Sequence, residues 1–240
     1  MRAALVVIGI VFAAFFLMHR CSQNKVSTSA GQGSPIELRQ QALDQIVLLQ
    51  PLKQYDAKEY DKLQQVANNA IQPSEVAADV GSTLWWTLRG IVEARADDEG
   101  QQLWAKAYLQ QLYDAKSKAN CFPFSFPLYS SISMDEKRAL LTQHTQQQSA
   151  EALTYILTHH GGKRSTVDQT PEGWTTVSEK LTQDYGDDAN LINAGETAKD
   201  KYKQCNVVIS TFEYMLALPE EQRGQVIRWL LGRHIAVAVF

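Results

Sequence analysis

Residues 200–215 read DKYKQCNVVISTFEYM, and this stretch decides the fold class. Tyr202, Cys205, Val208, Ile209, Phe212 and Met215 recur at intervals of three and four. A 3.6-residue period gathers them on one face of a helix, whereas the two-residue period of a strand scatters them over both faces. Leu218-Pro219-Glu220-Glu221 then breaks the helix and restarts it. Val226, Ile227, Leu230 and Leu231 form a last helix ended by Gly232. The tail from His234 to Phe240 is largely apolar and is expected to dock as a short strand or buried coil.

Working back toward the amino terminus, the same period returns. Pro171-Glu172 opens a helix with Trp174, Val177 and Leu181 inward, closed by Gly186, and Asp187–Gly195 reads as a loop. Ser133-Met134-Asp135-Glu136 is a capping box leading to Leu140 and Leu141. The polar run Thr142–Ser149 interrupts that helix, which resumes at Leu153, Ile156 and Leu157 and ends at Gly161-Gly162. Trp104, Tyr108, Leu109, Leu112 and Tyr113 give a broad aromatic face. Leu84, Leu88, Ile91 and Val92 form a stripe beginning near Ser82, with Trp85 and Trp86 extending the buried side and Arg89 able to pair with Glu93. Asp56 caps a helix through Tyr60, Leu63 and Ala67 that ends before Pro73. Ser34-Pro35 starts the first helix of the body, with Leu43, Ile46 and Val47 inward and Pro51 as its stop. No pair of alternating strands and no fixed repeat is found. The expectation is an all-α fold: an irregular bundle of seven or eight helices over residues 35–240.

Two segments precede that body. Ala3–Met18, AALVVIGIVFAAFFLM, is a run of sixteen residues without charge or proline. As a helix it spans about 24 Å, and Arg2 and Arg20 can snorkel to complete the crossing of a ~30 Å hydrocarbon layer. His19-Arg20-Cys21 follows in place of the small residues that a cleavage site needs. Residues 1–20 therefore read as a retained transmembrane signal anchor, with a cleaved signal peptide as the rival. Residues 21–34 read as a flexible linker rich in Ser, Gly and Gln.

Charge narrows the partners. Residues 1–34 carry Arg2, Arg20 and Lys25 and no acid, so the net −3 of the whole chain leaves −6 on the remainder. A body of that sign without a basic stripe repels phosphate backbones, which excludes nucleic acid. Cys121 and Cys205 are the only cysteines of the body, an even number suited to one disulfide outside a reducing compartment, with two free buried thiols as the alternative, while Cys21 on the linker stays free or pairs between molecules. Positive charges on the two sides of Ala3–Met18 nearly balance. The cysteines tip the expectation toward an inner-membrane protein with its domain in the periplasm or the exterior, a cytoplasmic-facing domain being the alternative.

Chemical motifs fail one by one. Gly162-Lys163-Arg164-Ser165-Thr166 has Arg164 where a phosphate loop needs Ser or Thr, and lacks the upstream glycine. The acids of residues 184–196 do not alternate as a calcium loop requires. Adjacent His159 and His160 point to different sides of a helix and cannot chelate together. Asp97-Asp98 and Glu220-Glu221 sit at helix starts, where the macrodipole accounts for them. No catalytic residue, cofactor or metal site is assigned. The expected function is a non-enzymatic, membrane-tethered interaction protein of the cell envelope, either a subunit of an envelope complex or an immunity-type toxin binder with a protein partner. A membrane-anchored hydrolase whose residues converge only in three dimensions is the alternative.

Overall fold

A computed structural model describes residues 35–69, 73–117, 121–125, 134–159, 161–167, 169–194 and 197–232. The chain divides into two units, Met1–Glu37 and Leu38–Phe240; the second holds the core and is the one described below. The anchor, the linker and the apolar tail of the sequence analysis lie outside the described residues. Among those described, no helix is long and apolar enough to cross a membrane.

The described elements are all helical, with no strand among them: α1 Pro35–Asp44, a 3-10 turn Val47–Leu49, α2 Gln50–Tyr55, α3 Ala57–Asn69, α4 Pro73–Arg95, α5 Asp98–Ser117, α6 Phe122–Ser125, α7 Met134–Leu140, α8 Gln143–Thr158, α9 Glu172–Tyr185, a 3-10 segment Gly186–Asn193, α10 Lys201–Leu216 and α11 Glu220–Gly232. Helix α5 lies at the centre, against α8, α10 and α11. Its Trp104, Tyr108 and Leu112 are buried with Leu153 and Ile156 of α8 and Phe212 of α10. The Tyr108 and Phe212 rings meet edge to face, with centroids 4.8 Å apart. Each such buried side chain contributes about 1.5–3 kcal/mol of transfer free energy before the entropy cost is counted. The Tyr108 hydroxyl donates to the Phe124 carbonyl at 3.0 Å, so the short helix α6 is fastened to the core. Complete burial pushes that phenol well above its ordinary pKa.

The Sγ atoms of Cys121 and Cys205 lie 2.08 Å apart, at bonding distance, with Cα atoms separated by 5.8 Å. Both side chains are buried, and the bridge ties the start of α6 to the inner face of α10. Directly after Cys121, Phe122–Ser125 makes one helical turn.

Several boundaries differ from the sequence reading. Pro51 does not stop a helix. It occupies the first turn of α2, where its missing N–H is no loss, and α1 has already ended at Asp44. Residues 142–149 do not interrupt a helix either. The break is at Leu141, and Thr142 caps α8 by accepting from the Thr145 amide at 3.2 Å. Thr145 and Ser149 are buried despite their polarity, because Ser149 Oγ donates to the Thr145 carbonyl and accepts from Gln111 Nε2. Helix α4 begins at Pro73 rather than near Ser82, only Ala96–Asp97 separates it from α5, and residues 186–193 are 3-10 helix rather than loop. The Thr142 amide also donates to Asp114 Oδ2 at 2.8 Å, joining α5 to α8. Burial pushes the Asp114 carboxyl up, but the Thr142 amide together with the Thr145, Thr142 and Gln110 side chains outweighs it, and the net direction is down.

Candidate interaction surface

Helix α4 turns Leu84, Leu88, Ile91 and Val92 into the core, and Trp85, at the edge of that arc, is buried with them. Trp86 is one residue, or 100°, further round. It does not extend the buried side as its neighbour does: it is 51% exposed. The two indole rings stand edge to face with centroids 4.3 Å apart. The Arg89 guanidinium lies 5.6 Å from the centroid of each ring, and Arg89 Nε donates to Glu93 Oε1 at 2.6 Å. The expected Arg89–Glu93 pair therefore forms, and it fixes the cation that holds the exposed indole in place. Gly90 follows Trp86 on the same face, and a Cβ built there would meet nothing within 4 Å. The result is an oriented tryptophan beside an open ledge. Among the described residues Ile36, Tyr55, Tyr113 and Tyr202 are the other large hydrophobic side chains that stand exposed, and Tyr202 thus departs from the inward face that its spacing on α10 suggested.

A second polar centre forms where the α4–α5 corner meets residues 161–167 and α11. Asp97 caps α5, its Oδ1 accepting from the Gly100 amide at 2.7 Å. The Asp98 amide donates to the Lys163 carbonyl. The Asp98 carboxylate accepts from the Ser165 amide, the Ser165 hydroxyl at 2.7 Å and Arg228 Nη2 at 3.3 Å. Arg228 also donates to the Ala96 carbonyl, and the Gln101 amide oxygen, turned toward it, accepts at 3.0 and 3.3 Å. Arg164 donates to the Glu93 and Ala94 carbonyls, satisfying the open end of α4. Asp98 therefore does more than complement a helix dipole. The Arg164 guanidinium and the Ser165 amide and hydroxyl are engaged with the protein itself, so they act here as a fastening.

The other residues singled out in the sequence are dispersed. His159 caps the end of α8 and stacks on Tyr155 with centroids 4.0 Å apart, while His144 is exposed near the start of the same helix. His19, His160 and His234 lie outside the described residues. Among those described, no group of three or more His, Cys, Asp or Glu side chains is placed to hold a metal ion. In the acidic stretch, Asp188 pairs with Lys203 at 2.7 Å and Asp184 accepts from the Tyr214 hydroxyl. Burial holds the Lys137 ammonium down at about 8. The sequence reading missed the exposure of Trp86 and the part played by Arg228. The Arg89–Glu93 spacing was the one local signal pointing to the first, and nothing near Arg228 pointed to the second.

No family model, curated protein or solved structure matches this chain.

Proposed function

We propose that this chain is a membrane-tethered, non-enzymatic interaction protein of the cell envelope, held by residues 1–20 and reaching its protein partner through residues 21–34. The observation that carries the reading is Trp86. Removing a half-exposed indole from water on binding is favourable. Arg89 and Trp85 already hold the ring in place, so little side-chain entropy remains to be lost. Tryptophan and arginine together are the residue types that dominate binding energy at protein interfaces. The Cys121–Cys205 pairing favours a body outside the reducing cytosol, and a subunit of an envelope complex or an immunity-type toxin binder both fit.

Affinity capture from detergent-solubilised membranes of the native cell tests this. The wild-type chain should retain a protein that Trp86→Ala loses, with the melting temperature of the variant unchanged. Equal recovery by both chains would overturn the assignment of Trp86. For the anchor, the intact mass of membrane-extracted protein should include residues 1–30, and a start near Gly31 would remove it.

A further inference from the structure

A groove of about 170 Å³ opens between α9, the end of α10 and the start of α11. Val177, buried on α9, and Leu218, buried after α10, belong to its apolar wall, and Ala217 stands exposed at its edge. Thr176, Lys180, Tyr214, Pro219 and Gln222 complete the lining. The Lys180 ammonium lies 5.3 Å from the centroid of the Tyr214 ring. The hydroxyl of that tyrosine is taken by Asp184. Among the described residues no carboxylate pairs with Lys180, whereas Lys53, Lys62 and Lys203 each have one.

Size decides the class of occupant. Cofactor and drug-sized pockets run to roughly 300–1,000 Å³, while a cavity of about 150 Å³ takes one benzene-sized group. The groove thus has room for a single side chain. Its floor is apolar at Val177 and Leu218, its rim is mixed, and the charged side chain that lines it is Lys180. We propose that it binds an apolar side chain adjacent to a carboxylate, presented on an exposed segment of a partner protein. The apolar group sits against Val177 and Leu218, and the carboxylate of the next residue meets the Lys180 ammonium at the rim. This site lies on α9–α11, away in sequence from Trp86 on α4, and does not depend on the assignment of Trp86.

The test uses the full chain in lipid nanodiscs and two capped dipeptides, N-acetyl-Leu-Asp-amide and N-acetyl-Leu-Asn-amide, followed by saturation-transfer NMR on the dipeptides. The leucine methyls of the Asp peptide should receive saturation, with Kd in the ~mM range expected for so few atoms. The Asn peptide should bind about 2–5-fold more weakly, the range set by an exposed ion pair. Lys180→Glu should abolish that preference, and Ala217→Trp, an exposed position that the fold does not need, should block both peptides. Absence of transfer to either peptide at concentrations up to about 10 mM would overturn the proposal. So would transfer that survives Ala217→Trp, or equal affinity for the two peptides.

Discussion

Gly162→Ala tests the fastening at the α4–α5 corner. A Cβ built on Gly162 falls 1.9 Å from Asp97 Oδ2, 2.7 Å from its Cγ and 2.9 Å from its Cβ. The obstacle is therefore the whole Asp97 side chain and not a mobile tip. If Asp97 swings away, its cap on the Gly100 amide is lost, at about 0.5–2 kcal/mol. If residues 161–165 move instead, the Asp98–Lys163 and Asp98–Ser165 hydrogen bonds lengthen, and relieving an overpacked contact typically costs about 1–3 kcal/mol. Depending on the route, the loss is about 0.5–3 kcal/mol. For a body of this size that lowers the melting temperature by about 1–12 °C, read by circular dichroism at 222 nm. Gly90→Ala is the control. It lies inside α4 with open space around its missing Cβ, and the change should stabilise by about 0.5–1 kcal/mol. A Gly162→Ala chain that melts within about 1 °C of wild type would refute the reasoning, because the contact distances leave no room for a neutral substitution.

Reducing the Cys121–Cys205 pair, 84 residues apart, or replacing both with serine should cost about 2–5 kcal/mol, since a long loop is no longer closed in the unfolded chain. Thiol counting on non-reduced, denatured protein should find one reactive cysteine per chain, and three would refute the pairing. Trp85→Ala should destabilise by about 3–5 kcal/mol through the cavity it leaves, and Trp86→Ala by less than about 0.5 kcal/mol. Comparable losses for the two would contradict their different burial. The hydrogen bond from Lys53 first, then that from the Tyr60 hydroxyl, holds the Asp44 carboxyl below its ordinary value of 3.8. A depressed folded-state pKa stabilises the fold above that ordinary value, and the contribution disappears as pH falls through the folded-state one. The difference in melting temperature between wild type and Asp44→Asn should therefore be full at pH 6 and shrink below about pH 4. A difference that persists unchanged at pH 2 would count against it.

The helical class was legible because it is written locally. The faces of α10 and α4 can be counted from Cys205, Val208 and Phe212, or from Leu84, Leu88 and Ile91, and the cap at Asp56 lies within three residues of the amide it serves. A free cysteine pair in a helical body was also enough to suggest the Cys121–Cys205 bridge, which the geometry brings to bonding distance. Element ends were less legible, since Pro51 can close a helix or open one, and Thr142 can interrupt one or cap one. The chain on both sides decides between them.

What only the tertiary structure decided is what lies beyond one helix. Trp85 and Trp86 are the same residue type one position apart, and which of them faces water depends on where the neighbouring helices end, which no periodicity contains. The buried Thr145 and Ser149 look like surface residues until Gln111, on another helix, reaches Ser149. The Asp98 centre draws on residues near 93–98, 162–165 and 228, and the Arg228–Asp98 contact spans 130 positions. Each of those side chains is unremarkable in its own segment. Periodicity fixes direction about one helix axis, whereas a shared hydrogen bond needs the relative placement of several axes, and that is set by the packing of α5 against α8, α10 and α11.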